Sequence, residues 1–267
     1  MKIWIILGML LAFPAKAVEL SGQYIQGGLV IGRTVVGSHV SLDGENIAVA
    51  PNGAFVFGFG RNAGVHAKLE IREPSGKMVS RDLTIVPQTY KVQRINGLPT
   101  RKVTPKPEDV ARIQADNRKI GAVRASSSLK PNFLSHFKWP VKGPISGVFG
   151  SQRILNGKPR SPHNGVDVAA PRGTTIVAPA DGVVALVQQN MFYTGKTMMI
   201  DHGLGLTSVY AHMDGILVAE GQMVKQGQPI GMVGKTGRVT GPHLHWGLTW
   251  KGVHLDPMLA TGPMPKD

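Results

Sequence analysis

The sequence predicts a mainly β protein with little helix. Gly (34 residues) and Pro (19 residues) together make about a fifth of the 267 residues, a composition that favours turns and short strands over long helices. Short runs rich in Val and Ile recur between glycines, as at 176–178, 183–187 and 198–200. The hydrophobic fraction, 42%, is typical of a folded globular protein and argues against a disordered one.

The first 17 residues are expected to be a signal peptide. Lys2 supplies a positive start, an apolar run of 11 residues follows at 3–13, and 15–17 has the small-x-small pattern of a cleavage site. The run is shorter than the about 20 apolar residues of a membrane span, although a membrane-anchored stub is the alternative. We therefore expect an exported mature chain without a transmembrane segment, most simply periplasmic, with secretion as the alternative.

Residues 18–90 predict a small β-rich, sandwich-like domain. Asp43-Gly44 and Asn52-Gly53 are hairpin-turn signals, and the sequence at 73–76 is typical of a turn. Six basic and six acidic residues leave this region without net charge. Its histidines, His39 and His66, stand apart from other candidate ligands, so nothing here indicates catalysis.

Residues 91–142 predict a basic connector, with twelve basic and three acidic residues for a net charge of +9. Pro107 followed by two acids is a typical helix start, and a roughly one-sided apolar pattern predicts one helix at 107–124. Three roles stay open: recruitment of an anionic envelope polymer, inhibition by lying across a neighbouring cleft, or a simple solvated connector. For an exported chain we do not expect nucleic acid as the partner.

Residues 143–262 predict an antiparallel β-sheet domain that holds the chemistry. The chain has no Cys, which excludes disulfides, thiolate metal sites and cysteine nucleophiles. Any metal site must therefore use His, Asp or Glu. Six of the nine histidines lie after residue 160, and no Gly-x-Ser-x-Gly motif competes with them.

Three short stretches hold the candidate ligands and bases. His163 and Asp167 are four residues apart, so both can face one way in an extended chain. His212 ends a strand-like run. His243 and His245 would lie on one face of a strand about 7 Å apart, a spacing that suits one metal ligand and one base beside a metal-bound water.

Residues from about 143 to 256 resemble the LytM/lysostaphin-type zinc metallopeptidases, a family of peptidoglycan and glycyl-glycine endopeptidases. The matching stretches cover a little under half of the chain. They are Ile145–Gly150 with Arg153, His163–Asp167 with Ala170, Pro171 and Gly173, Ala178–Gly182, Ile200–Gly203, Tyr210–Met213, Gly221–Gly231 and Gly241–His245.

This resemblance implies a role for each candidate residue. His163, Asp167 and His245 would bind one Zn²⁺ per chain, and His212 and His243 would be the catalytic histidines. Two imidazoles and one carboxylate leave a fourth zinc position open for water, whose pKa the metal lowers to about 7. The catalytic imidazoles would then move protons, and which of them is the general base stays open.

The expected function is a secreted zinc-dependent endopeptidase that hydrolyses amide bonds in the peptide cross-links of bacterial peptidoglycan. The expected bond is D-alanyl-diaminopimelate, because no wall-binding repeat of the Gram-positive type is visible, with a polyglycine bridge as the alternative. A non-catalytic wall-binding or hydrolase-activating module of the same fold would be favoured by a lost ligand, and none is lost. A carrier or adaptor domain of a secretion system would leave the histidines unexplained. Regulatory envelope proteins and the oligomeric state are not indicated.

Overall fold

A computed structural model describes residues 18–126 and 128–265 of the chain. The predicted signal peptide at 1–17 lies outside the described residues. Strands dominate the described ranges and helices are few, which confirms the predicted fold class. In the described part of the chain, no helix is both long enough and apolar enough to cross a membrane.

The N-terminal region consists of two small antiparallel sheets that share one buried cluster. The sheet orders are β1-β2-β5 and β4-β3-β6-β7. The strands are β1 (Glu19–Gly22), β2 (Leu29–Arg33), β3 (His39–Leu42), β4 (Glu45–Ile47), β5 (Ala54–Gly58), β6 (His66–Arg72) and β7 (Met78–Thr84). Asp43 and Gly44 join β3 to β4 with φ angles of 51° and 83°, the positive pair that an Asp-Gly hairpin turn requires.

The connecting region holds the strand β8 (Val92–Ile95), the one-turn helix α1 (Thr100–Val103), the helix α2 (Pro107–Ala125) and a 3-10 turn at Asn132–Leu134. The sequence predicts a helix at 107–124 but neither β8 nor α1. At the start of α2, the Asp109 carboxylate accepts the Lys106 backbone N–H at 3.2 Å. Near its end, Val123 packs into a buried cluster with Leu186 and Met199 of the C-terminal domain.

The C-terminal domain is built on one eight-stranded antiparallel sheet of order β18-β14-β15-β16-β20-β12-β9, with β21 paired to β20. In chain order, the strands and the last helix of this domain are β9 (Ile145–Gly147), β10 (Gln152–Leu155), β11 (Lys158–Pro159), β12 (Val166–Ala169), β13 (Thr175–Val177), β14 (Gly182–Met191), β15 (Gly195–Gly203), β16 (Leu206–Met213), β17 (Gly215–Ile216), β18 (Met223–Val224), β19 (Pro229–Met232), β20 (His243–Trp250), β21 (Val253–Leu255) and α3 (Pro257–Thr261). The small sheets have the orders β13-β19-β17 and β11-β10-β8.

The main core of this domain lies on one face of the large sheet, and the smaller buried cluster under α2 lies on the other. Tyr210 in β16 pairs with Trp246 in β20, and both side chains are fully buried. The ring of Trp139, from the end of the connecting region, meets Trp246 edge-on at 5.9 Å between centroids. Residues one position along these two strands point to the opposite face, and the site lies on the part of that face that α2 does not cover.

The N-terminal region and the C-terminal domain are in direct contact. Asp256 donates its backbone N–H to the Gly27 carbonyl at 2.8 Å. Leu255 lies so close to Gly58 that a Cβ at position 58 would come within 2.6 Å of the leucine side chain. The buried hydrophobic cluster continues across this contact.

Candidate active site

One row of paired residues crosses four adjacent strands of the large sheet. Ala211 in β16 pairs with His245 in β20, His245 with Asp167 in β12, and Asp167 with Gly147 in β9. Because directly paired residues share a face, His245 and Asp167 lie side by side between two small residues. A Cβ at Gly147 would lie 2.5 Å from Asp167 Oδ2, so the carboxylate occupies space that only glycine leaves open.

His163 completes a compact group with this pair. It lies in the segment before β12, is buried, and donates its backbone N–H to the Ser151 carbonyl at 2.9 Å. Its Nε2 lies 2.9 Å from His245 Nδ1 and 3.0 Å from Asp167 Oδ1. His245 Nδ1 lies 2.8 Å from the same carboxylate oxygen, so three ligand atoms converge at one point.

The chemistry of these three atoms fits a bound cation. His163 Nδ1 donates to the Val148 carbonyl at 3.1 Å, which leaves Nε2 with a lone pair that faces the Asp167 carboxylate. Three atoms about 2.9 Å apart lie about 1.7 Å from their common centre. Because this is shorter than a zinc bond of about 2.1 Å, an ion slightly above their plane can be at bonding distance from all three. The donor set of two imidazoles and one carboxylate therefore fits Zn²⁺ with a fourth position open.

The electrostatics of the group favour a cation as well. Burial opposes ionisation of Asp167, but the adjacent His163 and His245 imidazoles outweigh it and hold the pKa of this carboxyl well below its usual range. Burial lowers the pKa of His163 to about 4, against a smaller opposing effect of Asp167. A neutral His163 and an ionised Asp167 at neutral pH place two acceptors face to face, an arrangement that a positive ion between them relieves.

His212 reaches the same face through a local break in the strand. Strict alternation after Ala211 would send it to the opposite face, but the pairing of β15 with β16 shifts between Lys196 and Met198, and His212 has a φ of 64°. Such an irregularity turns a side chain away from the face that strict alternation would give it. The His212 ring then lies 4.9 Å from the His243 ring and 6.2 Å from the His245 ring, centroid to centroid.

Backbone carbonyls orient both of the remaining histidines. His212 Nδ1 donates to the Thr236 carbonyl at 2.8 Å, and His243 Nδ1 donates to the Gly241 carbonyl at 2.9 Å. Each ring therefore keeps its Nε2 as the proton acceptor. Burial lowers the pKa of His212 well below its ordinary value and lowers that of His243 too, so both imidazoles are neutral at neutral pH.

A cleft of about 150 Å³ opens above this group, and the connecting region supplies one of its walls. Gln93, Ile95 and Leu98 line it from that side. The Gln93 side chain donates to the Ser146 carbonyl at 3.0 Å and accepts from Arg153 Nε at 3.4 Å. β8 is held there by its parallel pairing with β10. In the described ranges, no residue of α2 lines the cleft.

The structure brings together all five residues that the sequence predicts for the site, namely His163, Asp167, His212, His243 and His245. Their division into ligands and catalysts stays a prediction. His202, for which the sequence predicts a structural role, is buried elsewhere in the sheet and bonds to the Asp181 carbonyl and the Ser208 hydroxyl.

Sequence reasoning missed several contributors to the site. The sequence places Arg153 in a matching stretch and predicts no role for it, yet its Nη2 lies 2.5 Å from Asp167 Oδ2 and holds the outer carboxylate oxygen. Gln93 and Arg238 also line the cleft. The carbonyls that orient the histidines leave no signal in the residue types, and the position of Gln93 depends on pairing with a strand about sixty residues away.

Comparison with known proteins places this geometry in a family context. Residues 161–257 match the model of peptidase family M23. The peptidoglycan DD-endopeptidase ShyA of Vibrio cholerae is 43% identical over 130 residues, which cover 48% of this chain and 30% of ShyA. The DD-carboxypeptidase/endopeptidase Mpg of Neisseria meningitidis is 42% identical over 104 residues, 39% of this chain and 24% of Mpg. The chain thus spans less than a third of either curated relative.

A solved structure extends the likeness to both regions of the chain. It is the crystal structure of a Pseudomonas aeruginosa protein assigned to peptidase M23, with 29% identity and a TM-score of 0.68. The match covers 90% of this chain and 96% of that one. The arrangement of the N-terminal sheets, the connecting region and the large sheet therefore recurs in another protein.

Proposed function

We propose, from the match of residues 161–257 to the model of peptidase family M23, that this chain is an exported, zinc-dependent endopeptidase of bacterial peptidoglycan. The proposed substrate is the peptide cross-link, and the proposed reaction is hydrolysis of its amide bond. The proposed location is the periplasm, which follows from the signal-peptide pattern at 1–17. The names of ShyA and Mpg support the substrate class.

The observation that carries the proposal is the convergence of three ligand atoms under an open cleft. His163, Asp167 and His245 would hold one Zn²⁺ through Nε2, Oδ1 and Nδ1. The Val148 carbonyl and the Arg153 guanidinium support the outer sides of His163 and Asp167, as partners of metal ligands commonly do. The fixed rings need little rearrangement to accept the ion.

The protein's own groups perform the proton transfers. When bound, zinc supplies Lewis-acid polarisation of the scissile carbonyl and acidifies a water. His212 and His243 present neutral Nε2 atoms in the cleft, so one of them accepts the proton of the attacking water. A protonated imidazole of this pair returns the proton to the leaving amide nitrogen and can also stabilise negative charge on the carbonyl oxygen.

The test combines metal analysis with hydrolysis of purified cross-linked muropeptides. We expect about one zinc per chain, cleavage at the cross-link detected by mass spectrometry, and loss of cleavage on chelation that zinc restores. His163→Ala and His245→Ala should lose zinc and activity together. His212→Ala and His243→Ala should lose activity while most of the zinc is retained.

Three results would contradict parts of this proposal. Zinc loss in His243→Ala equal to that in His163→Ala would show that the roles are exchanged. Zinc binding and wall binding without any cleavage would identify a non-catalytic module that binds the wall or activates another hydrolase. Cleavage that resists complete zinc removal would exclude a zinc mechanism.

A further inference from the structure

Arg238 is a cation in the cleft that has no acidic partner among the described residues. It lies between β19 and β20, is half-buried, and lines the cleft together with His212 and His243. Its guanidinium carries five N–H donors. Among the described residues, the guanidinium makes one hydrogen bond, from Nη1 to the Lys102 carbonyl at 3.5 Å, and no ion pair.

The position of this guanidinium is fixed despite its unused donors. The Arg238 backbone N–H donates to the Tyr193 carbonyl at 2.8 Å, and the guanidinium carbon lies 4.5 Å from the Tyr193 ring centroid. A planar guanidinium held against a ring keeps its edge available, and that edge matches a carboxylate with two parallel hydrogen bonds. Arg153, the other arginine of the cleft, is already committed to Asp167.

The surroundings make the cleft receptive to an anion. Burial lowers the pKa of Arg238 and Tyr193 opposes this in part, while the charges of Arg153 and Arg160 lower it further, so like charges also act on it. Asp167 is the one carboxylate among the described lining residues, and it is already paired with Arg153 and directed at the proposed metal. A bound divalent ion adds positive charge to the same cleft.

We propose that Arg238 binds the carboxylate on the carbon bonded to the scissile amide nitrogen, and that the chain therefore selects amides whose amine side carries that group. This inference rests on the proposed function, since it names the substrate feature that the same cleft recognises. Arg238 would act as a specificity residue that contacts substrate.

The proposed rule separates the alternative cross-links by their chemistry. Both amino groups of diaminopimelate stand on carbons that carry a carboxyl group, so a D-alanyl-diaminopimelate bond has a carboxylate beside its nitrogen. A terminal D-alanyl-D-alanine bond has one as well, from the C-terminal residue. Within a polyglycine bridge, the amine-side residue continues into another amide and presents no such charge. The cleft thus accepts the first two classes and disfavours the third.

The test compares matched substrates on the full-length zinc-loaded chain. The substrates are a D-alanyl-diaminopimelate cross-linked dimer with a free amine-side carboxylate, the same dimer with that group as a carboxamide, a stem ending in D-alanyl-D-alanine, and a glycine-bridged dimer. The variants are Arg238→Gln and Arg238→Lys. Arg160→Gln is the control, because it removes one charge nearby from a side chain whose guanidinium donates to the Val103 and Pro159 carbonyls.

For the free-acid dimer we expect Arg238→Gln to raise KM about tenfold to a hundredfold with little change in kcat, as for loss of a charge-assisted contact made throughout the reaction. Arg238→Lys should recover part of the loss. The carboxamide dimer should bind the unmodified chain as weakly as the free-acid dimer binds Arg238→Gln. Replacing Arg238 by Gln should not weaken binding of the carboxamide dimer any further. Arg160→Gln should change neither. Cleavage of the D-alanyl-D-alanine stem should depend on Arg238 in the same way, because its terminal residue presents the same carboxylate, and a stem cleaved equally well by Arg238→Gln would contradict the rule.

Calorimetric binding of the uncleaved dimers to the zinc-free full chain tests the contact apart from hydrolysis. Tighter binding of the free acid than of the carboxamide, lost in Arg238→Gln, supports the inference even if no bond is cut, in which case the proposed function alone fails. Equal binding and equal cleavage of the two dimers by the unmodified chain overturns the inference and leaves the proposed function intact. An effect of Arg160→Gln equal to that of Arg238→Gln also overturns it.

Discussion

Protonation of Asp256 should set part of the pH dependence of stability. Its backbone N–H bonds to Gly27 of the N-terminal region, and its Oδ1 accepts the Met258 N–H at 2.9 Å at the start of α3. No cationic group among the described residues pairs with this carboxyl. Burial, opposed in part by the Met258 hydrogen bond, raises the pKa of Asp256 to about 6.

The pKa shift fixes the sign and the size of the expected effect. Between pH 3.8 and about pH 6, Asp256 keeps a proton in the folded chain that it has already released in the unfolded chain. The stability that the protonated carboxyl contributes is therefore present below about pH 4 and is lost as the pH rises through about 6. A shift of about 2 units corresponds to about 3 kcal/mol at 1.36 kcal/mol per unit, as an upper value.

Asp256→Asn is the matching perturbation, because Asn cannot ionise and still offers an oxygen to Met258. The variant should exceed the unmodified chain in free energy of unfolding by up to about 3 kcal/mol at pH 7 to 8 and equal it near pH 4. Urea unfolding followed by tryptophan fluorescence measures both. Asp214→Asn is the control. The Arg172 hydrogen bond lowers the pKa of Asp214, so removing the Asp214 charge should not stabilise the chain. A difference between Asp256→Asn and the unmodified chain that stays constant from pH 4 to 8 would refute the reasoning.

Three further changes test the site and its support. Gly147→Ala places a Cβ 2.5 Å from Asp167 Oδ2, so zinc affinity should fall about tenfold to a hundredfold in a chelator competition while the chain stays folded; unchanged affinity would contradict this. Arg153→Gln removes the cation beside Asp167, so the pKa of that carboxyl should rise and zinc should dissociate at a higher pH than from the unmodified chain; coincident pH titrations would argue against it. Val123→Asp puts a charge into the contact between α2 and the sheet and should cost about 2 kcal/mol or more in urea unfolding, whereas an unchanged midpoint would show that the helix is not docked.

Local patterns predicted the local structure of this chain well. The Asp43-Gly44 pair forms the expected hairpin turn, and the glycine-punctuated runs form β13, β14 and β15. These signals are local because turn chemistry and side-chain alternation act over a few residues. The grouping of the five site residues followed from motif resemblance, since residue types alone left their partners open.

Features that depend on distant pairing could not be predicted in the same way. The connecting strand β8 pairs with β10 through contacts that neither segment reveals alone, and with it Gln93 enters the wall of the cleft. The positive φ of His212 depends on a shifted register against β15. Arg238 looks like one more basic residue of a glycine-rich loop until the fold places it beside the histidines.

The row of paired residues through β16, β20, β12 and β9 also bears on how the sheet forms. A strand that paired one position out of step would present Leu244 or Trp246 where His245 belongs, since neighbouring residues point to opposite faces. Only one alignment of these strands assembles a metal-binding group. An ion that binds this alignment and no other lowers its free energy relative to slipped compact states. Zinc supplied during refolding would therefore favour the correct strand alignment over slipped ones. Its uptake would report when the sheet is correctly assembled.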